Sequence, residues 1–298
     1  MLRLIERPGQ NALLRVPNAT RAVVSWNTTA PHGGLALIAH RADESVSEPL
    51  LYVRWSPEER RSLDGADEKT RIEVDVVRSE VPLTALGVAS TAELDAVAVA
   101  VPPPPDARAA PRKRTDVLAV PKLAQYLATH PDERGWCSAA SLAMLLRFHG
   151  VDADVPAVAR AVFDAAYNGT GNWAFNAAYA GARGLRGVVA YLRGVDHAAA
   201  FVAAGLPLAI SIGWNAGELP GAPLEHSEGH LLVVRGVEPD YVLVNDPAHP
   251  AVATRYPRAA LDLVFRSAGG IAYLVAPRER TNELVALANG ADPSTSSG

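Results

Sequence analysis

Cysteine, methionine and aromatic residues are scarce in this sequence. Its 298 residues include one cysteine, two methionines and five phenylalanines, and aromatic residues make up 6% of the chain. A single cysteine excludes an intrachain disulfide, so cysteine usage does not indicate a redox compartment. The formal net charge is −4 and the isoelectric point is near 6.1. Because nucleic acids and anionic membranes favour a concentrated basic face, we expect neither as the main partner.

Long apolar runs are also absent from the sequence. No stretch reaches the ~18 uninterrupted apolar residues of a membrane-spanning helix, so no membrane span is expected. The opening MLRLIERPGQNALLRVP lacks the apolar core and the small-residue cleavage site of a signal peptide. We therefore expect a cytoplasmic protein, or a secreted one if the sequence is that of a mature form. The oligomeric state stays open.

The composition is 49% hydrophobic and 20% charged, which is typical of a globular protein with a core. Residues 1–100 contain short alternating or β-branched runs separated by turn residues, which predicts a small β-sandwich domain. These runs are NALLRVP, RAVVSW, GLALIAH, PLLYVRW, TRIEVDVV and LDAVAVAV. The proline-rich segment 101–114 (VPPPPDARAAPRKR) is typical of a semi-rigid linker. What function the β-rich domain has cannot be read from any motif in it.

From residue 115 the pattern changes to longer helical segments followed mostly by strands, which predicts an α+β domain with an antiparallel sheet over 115–280. Residues 281–298 are predicted to be a flexible tail, because their end is small and polar. Helices are expected near 138–149, 155–165, 172–183, 196–204 and 258–266. Strands are expected at LRGVVAYL, LPLAISIGW, HLLVVRGV, DYVLVND and GIAYLVAP.

The single cysteine lies at a chemically favourable place, in the stretch ERGWCSAASLAML. An apolar stripe from Ser138 to His149, followed by Gly150, predicts a helix whose first turn contains Cys137. Unpaired N–H groups and the helix dipole at that turn favour a thiolate, and the same N–H groups can stabilise an oxyanion. The alternative is that Cys137 is a small buried apolar residue. A catalytic thiol requires a histidine as base and a third group to orient that histidine.

Residues 228–249 offer such a pair. The runs HLLVVRGV and DYVLVND, separated by Glu238-Pro239-Asp240, predict a β-hairpin. A turn centred on residue 238 places His230 opposite Asp246 at a Cβ separation of ~5 Å. A carboxylate there accepts the imidazole N–H and leaves the other ring nitrogen for Cys137. A one-residue slip would substitute Asn245 for Asp246. Taken singly, His230 and Asp246 are equally compatible with a hydrogen-bonded histidine and a turn.

Five motifs in sequence resemble the peptidase C39-like cysteine peptidases of the papain-like superfamily, over about residues 120–277. They are GWCSAASLAML, GNWAFNAAYA, LPLAISIGW, GHLLVVRG and VNDPA. The resemblance implies a papain-like α+β fold. It also implies that Cys137 is the nucleophile, His230 the base and Asp246 the orienting acid.

The resemblance further implies a glutamine upstream of the cysteine as a side-chain oxyanion donor. The upstream glutamine in this part of the sequence is Gln125, and the segment HPDERG makes its spacing from the cysteine longer than is usual for papain-like enzymes. Four residues in the shared motifs are candidates for lining a substrate cleft, with core packing or helix capping as the alternative: Trp136, Asn172, Trp173 and Trp214.

Metal chemistry is not expected. His226 and His230 form an H-x₃-H pair, but Gly229 and the strand-like run after it argue against a helix, and no further Cys or His ligands complete a zinc set. We therefore expect no cofactor. The sequence predicts a cysteine peptidase or amide hydrolase that acts on a peptide or amide substrate through a thioester acyl-enzyme. Two alternatives remain open: an acyltransferase or peptide ligase with the same triad, and an inactive binding scaffold.

Overall fold

The computed structural model describes residues 1–130 and 135–291. Residues 1–100 form six β-strands and their connections, and two of the strands are much longer than the sequence runs predicted. The bounds are β1 (Leu2–Asn27), β2 (Gly33–Arg41), β3 (Leu50–Trp55), β4 (Arg60–Ser62), β5 (Thr70–Glu73) and β6 (Val76–Ala100).

Strands β1 and β6 are long because each one bends and contributes to two layers. Residues 96–100 of β6 lie between residues 2–6 and residues 23–27 of β1 in one layer. In the other layer, residues 85–89 of β6 pair with β1 on one side and with β2 on the other. The strands within each layer are antiparallel, and the two layers form a β-sandwich.

Aromatic side chains fill the space between the layers. The Trp26 ring stacks on Trp55 with ring centroids 5.5 Å apart and meets Tyr52 edge-on. Across the layers, the buried Tyr52 hydroxyl donates to the Val24 carbonyl at 2.6 Å. Since buried Tyr hydroxyls require a partner, this bond fixes how the two layers face each other.

Residues 101–121 run without helix or strand, and the second half then follows the predicted order of helices and strands. Its elements are α1 (Cys137–Phe148), α2 (Val155–Val162), α3 (Trp173–Ala182), β7 (Arg186–Tyr191), α4 (Val195–Ala203), β8 (Leu208–Trp214), β9 (Ser227–Val237), β10 (Tyr241–Asn245), β11 (Ala253–Pro257), α5 (Arg258–Ser267), β12 (Ile271–Ala276), a 3₁₀ turn (Arg278–Arg280) and α6 (Thr281–Ala288). The strands form one antiparallel sheet in the order β11-β10-β9-β8-β12-β7. The α+β class expected from the sequence is confirmed.

Two elements depart from the predictions. Strand β11 was not expected, and residues 281–288 form helix α6 where a flexible tail was predicted. Helix α6 is held because Leu284 and Leu287 are buried in the same apolar cluster as strand β7. Residues 292–298 of the predicted tail lie outside the described residues.

The two halves pack directly against each other. Buried Asn27 of β1 donates to the carbonyl of Gly187 at 2.8 Å and accepts from the Arg186 guanidinium at 3.0 Å. At another point, the backbone of Leu2 exchanges two hydrogen bonds with the Asn289 side chain, at 2.9 and 3.0 Å. Buried amide contacts of this kind fix orientation as well as adding stability, because each group would be costly to leave unpaired.

Candidate active site

Helix α1 carries the single cysteine at its first position. Its stripe of alanine and leucine side chains is fully buried, and Ser141 anchors it to β9 by donating to the Leu231 carbonyl at 3.1 Å. Ser138, also buried, shares a hydrogen bond of 2.9 Å with the Tyr273 hydroxyl on β12. Both serines therefore tie the helix N-terminus to the sheet, and Cys137 is left partly exposed at this end.

His230 lies on β9, the strand against which α1 packs. It pairs with Ile212 of β8, and its side chain is almost fully buried. The indole of Trp214 meets the imidazole edge-on, with ring centroids 5.7 Å apart. The Trp214 N–H itself donates to the Leu224 carbonyl at 3.2 Å, so the indole is fixed in position over the histidine.

Asp246 meets His230, but by a different route from the one the hairpin predicted. The observed ladder pairs Val242 with Val237 and, after an irregularity, Asn245 with Val233. The predicted register is therefore wrong, and Asp246 lies just beyond the end of β10. From there its Oδ1 accepts from His230 Nε2 at 2.7 Å. Because Nε2 is occupied, Nδ1 is the nitrogen that faces Cys137.

The pKa values of these three groups are coupled. Burial alone lowers the pKa of His230, but the hydrogen bonds and negative charges of Asp246 and Cys137 outweigh it and raise that pKa to about 10. Burial would raise the pKa of the Cys137 thiol, yet the hydrogen bond and charge of His230 and the backbone N–H groups of Leu231 and Ser138 lower it. The Asp246 pKa is lowered as well, since His230 outweighs the effect of burial. The arrangement favours a thiolate–imidazolium pair at neutral pH.

Tyr256 on β11 is a further member of this group that the sequence analysis did not single out. Its fully buried hydroxyl donates to Asp246 Oδ2 at 2.6 Å, while the Ala248 N–H donates to Oδ1 at 2.9 Å. Burial and the adjacent carboxylate raise the pKa of Tyr256, which keeps it protonated as a donor. Both oxygens of Asp246 are thus held, and the carboxylate orients His230 in a fixed plane.

Asn245, the residue that a register slip would have supplied, points elsewhere. Its buried side-chain amide donates to the carbonyls of Val120 and Pro121 at 3.1 and 3.0 Å. This fixes the segment that leads to Gln125. Gln125 is itself buried, and its backbone N–H donates to the Pro247 carbonyl at 2.9 Å, beside the loop that carries Asp246. Residues 131–134 of the intervening HPDERG segment lie outside the described residues.

The remaining sequence candidates occupy internal positions near the site. Trp136 is buried in the cluster around α1, with its ring centroid 5.2 Å from that of His130. Asn172 is buried and caps α3, accepting from the Phe175 N–H at 3.0 Å. Trp173 is partly buried and packs against two apolar clusters, one around α1 and one that also contains residues of β1 and β6. The structure therefore brings Cys137, His230 and Asp246 together, with Trp214 against His230 and Tyr256 bonded to Asp246.

Among the residues that the structure describes, no group of three or more His, Cys, Asp or Glu side chains is arranged to hold a metal ion. Over the same residues, every helix is too short or too polar to cross a bilayer.

Comparison with known proteins identifies the second half. Residues 117–273, just over half of the chain, match the model of the Peptidase_C39 like family. This range contains all of Cys137, His230 and Asp246. No curated protein matches the chain significantly.

Several solved structures resemble the chain. A C39-like peptidase from Bacillus anthracis aligns with a TM-score of 0.43 and 18% identity, over 56% of this chain and 99% of its own. A double glycine motif protease from an AMS/PCAT transporter, solved in complex with the leader peptide, gives 0.38 and 23%, over 56% and 95%. The peptidase domain of Streptococcus ComA, a bifunctional ABC transporter in a quorum-sensing pathway, gives 0.37 and 19%, over 53% and 98%.

Proposed function

The chain belongs to the Peptidase_C39 like family, and we propose that it is a cysteine peptidase or amide hydrolase that uses Cys137, His230 and Asp246 as a catalytic triad. The observation that carries the proposal is the 2.7 Å hydrogen bond between His230 and Asp246, buried beside a cysteine at a helix N-terminus. A nucleophile, a base and an orienting carboxylate in this order are what acyl transfer through a thiol requires.

In the first step the Cys137 thiolate attacks the carbonyl carbon of the peptide or amide bond. The resulting oxyanion accepts hydrogen bonds, and the imidazolium of His230 donates its Nδ1 proton to the leaving amine, so that the C–N bond breaks and a thioester forms. In the second step water attacks the thioester while neutral His230 takes the water proton. The thiolate leaves, the acid product departs and the imidazolium is restored.

Asp246 contributes by fixing the imidazole and by stabilising its charged form. With Nε2–H held on Asp246, the tautomer that presents Nδ1 to the thiol is selected. The hydrogen bond from Tyr256 prevents rotation of the carboxylate away from this position.

Oxyanion stabilisation is proposed for the backbone N–H of Cys137 and the side-chain amide of Gln125. Helix α1 begins without a side-chain cap among the described residues, which leaves N–H groups of its first turn available for a ligand oxygen. A missing side-chain donor typically costs 10²–10³-fold in kcat. Gln125→Glu removes the donor with little change of volume, so we expect kcat to fall while Cys137 alkylation is retained.

The decisive experiment is labelling of the full chain by a panel of peptidyl electrophiles, with Cys137→Ala and His230→Ala as matched variants. The expected result is labelling at Cys137 in the wild type, none in Cys137→Ala and a large decrease in His230→Ala. Turnover retained by Cys137→Ala would refute the proposal. An unreactive Cys137 would favour a binding scaffold. Products of aminolysis exceeding those of hydrolysis, with a competing amine present, would favour acyl transfer.

A further inference from the structure

The loop over residues 164–171 connects the N-terminal sandwich to the neighbourhood of Cys137. At one end the loop extends strand β4, because Asp164 bridges Arg60 in parallel and the Ala165 N–H donates to the Arg60 carbonyl at 2.9 Å. The Ser62 N–H also donates to Asp164 Oδ1, at 3.0 Å. Two backbone groups of the sandwich therefore hold the start of the loop.

Asp164 organises the rest of the loop from a completely buried position. Its Oδ1 also accepts from the Ala166 N–H at 3.0 Å, and its Oδ2 accepts from the Asn172 side-chain amide at 2.9 Å. The loop is closed by the Asp164 N–H, which donates to the Gly169 carbonyl at 2.9 Å. One carboxylate thus joins the sandwich, the loop and the N-terminal cap of α3.

The loop presents one exposed aromatic ring. Tyr167 is 52% exposed, and its ring lies against two glycines: a Cβ at Gly169 or Gly171 would come within 3.1 or 3.2 Å of ring carbons. Burial of the inner part raises the pKa of Tyr167, and the nearby charges of Asp75, Cys137 and Asp164 raise it further. Near the other end of the loop, Thr170 donates to the carbonyl of Gly135, two residues before Cys137, at 2.9 Å. The loop is therefore bonded to the segment just before Cys137, and Tyr167 lies close enough to Cys137 for the thiolate charge to act on its pKa.

We propose that the N-terminal sandwich is part of the substrate-binding apparatus: through Ser62 and Asp164 it fixes the 164–171 loop so that Tyr167 forms a wall of the cleft for an apolar or aromatic peptide side chain next to the scissile bond. Tyr167 is then a specificity residue, and Asp164 is a positioning residue that acts through it. The inference rests on the proposed peptidase function. A rigid aromatic face with little rotamer entropy to lose is suited to this role.

A second contact from the sandwich reinforces the same region. Buried Asp75, just after β5, accepts from the Trp173 N–H at 2.6 Å at the start of α3. Asp75 and Asp164 therefore hold consecutive residues, Trp173 and Asn172, at the end of the loop. A displacement of the sandwich would move the loop, whereas the triad lies on α1, on β9 and after β10, outside the loop.

The test compares two alkylation rates at Cys137. Iodoacetamide is small and reports thiolate reactivity alone, whereas a peptidyl vinyl sulfone with an aromatic residue next to its electrophile also reports binding in the cleft. The second-order rate constant for the vinyl sulfone divided by that for iodoacetamide therefore reports the contribution of binding in the cleft. We expect Tyr167→Ala to lower this ratio about tenfold, the scale of a lost hot-spot contact, and Tyr167→Phe to retain it. Iodoacetamide rates should be unchanged in both.

The positioning role is tested by exchanging the polarity of one hydrogen bond. In Asp164→Asn the new side-chain N–H₂ faces the N–H₂ of Asn172, so this hydrogen bond is lost. The ratio should then fall about as far as in Tyr167→Ala. The double variant Asp164→Asn/Asn172→Asp restores a donor–acceptor pair and keeps an oxygen to cap α3, so the ratio should recover. Ser62→Pro, which lacks the N–H, should lower the ratio, with Ser62→Ala as its control.

Each outcome bears on the inference separately from the proposed function. A ratio unchanged in Tyr167→Ala would overturn the cleft wall while leaving the thiol chemistry intact. If the double variant unfolds like the wild type but its ratio stays low, Asp164 does not position the loop as proposed. An unchanged ratio in a folded Ser62→Pro variant would show that the sandwich does not position the loop. If Cys137 of the wild type does not react with iodoacetamide, the result would instead count against the peptidase proposal.

Discussion

The thiolate–imidazolium pair predicts that alkylation of Cys137 depends little on pH near neutrality, and that replacement of His230 by Ala makes the rate depend steeply on pH. In the wild type the pKa of the thiol is lowered and that of His230 is raised to about 10. The thiolate is therefore present above the lowered thiol pKa, and the imidazolium is retained until the pH approaches 10. We expect the iodoacetamide rate of the wild type to level off at a lower pH than that of the variant, and to stay constant from there up to about pH 9.

The magnitude follows from the ordinary ionisation of cysteine. A thiol with a pKa of ~8.5 is only about 0.3% ionised at pH 6, so ionisation can give the wild type an advantage of at most roughly 300-fold over a variant with that ordinary pKa. A thiolate of low pKa is intrinsically less nucleophilic, which offsets part of this advantage. We expect the rate ratio at pH 6 to be at least about tenfold, and the variant's rate to rise about tenfold per pH unit up to its pKa.

Intact-mass measurement of the alkylated chain at each pH provides the assay, and the single cysteine makes the mass change unambiguous. The N–H groups of Leu231 and Ser138 next to the sulfur remain in the variant, so the comparison reports the imidazolium alone. Parallel pH profiles for the two proteins would refute the ion pair. Loss of the tertiary structure in the variant is checked by its near-UV circular dichroism.

Three further predictions concern the groups around the triad. Asp246→Asn removes the charge that helps to raise the pKa of His230 to about 10, so the alkaline limb of the pH–kcat profile should move to lower pH. The control Asn245→Ala should lower stability without moving that limb. If the alkaline limbs of Asp246→Asn and the wild type coincide, Asp246 does not raise the pKa of His230. Tyr256→Phe leaves the buried Asp246 carboxylate without one donor, so urea denaturation should show a loss of about 1–3 kcal/mol; an unchanged unfolding free energy would exclude a stabilising role for this bond. Burial raises the pKa of Asp75 to about 7, above its ordinary value of ~3.9, so the wild type should lose stability as pH rises from about 4 to 7, by up to about 4 kcal/mol. Asp75→Asn, which does not titrate, should lack this decrease; equal pH dependence in both proteins would show that Asp75 is not the group responsible.

Much of the second half could be predicted because its local signals agree with its tertiary contacts. The helix expected at 138–149 is observed at Cys137–Phe148, and the one expected at 172–183 at Trp173–Ala182. In both cases an apolar stripe specifies the buried face. Helix α6 was missed because its two buried leucines occupy a short segment that runs into a small, polar end. Its helical state depends on packing, which the local sequence does not reveal.

The contact between His230 and Asp246 was expected, but the hairpin arithmetic behind it was not correct. The predicted turn is centred on residue 238, whereas the observed pairing of Val242 with Val237 centres the turn between Pro239 and Asp240. An irregularity between Leu243 and Val244 then changes the register by one residue, and β10 ends at Asn245. A bulge of this kind shifts the register by a residue without a clear signature in the apolar pattern. The aspartate reaches the histidine from the loop after β10 instead.

The residues that the sequence analysis missed come from a strand, a turn and a loop that had no apparent connection to the site. Tyr256 belongs to β11, a short strand that was not expected, so its approach to Asp246 depends on the order of the sheet. Asp75 and Asp164 approach each other through the packing of the two halves. Each one, in the sequence, is an aspartate near a turn, and turn positions are where aspartate is common. Such long-range juxtapositions leave no local pattern.

The pair of hydrogen bonds between Leu2 and Asn289 joins the first strand to the segment that follows the last helix. These bonds oppose fraying of both elements, because release of β1 removes the support of α6, and release of α6 removes the support of β1. The slowest-exchanging amides of these two elements should therefore share one opening free energy, as members of a single cooperative unit. Proteolysis of the native protein would accordingly begin at interior loops before it reaches this junction.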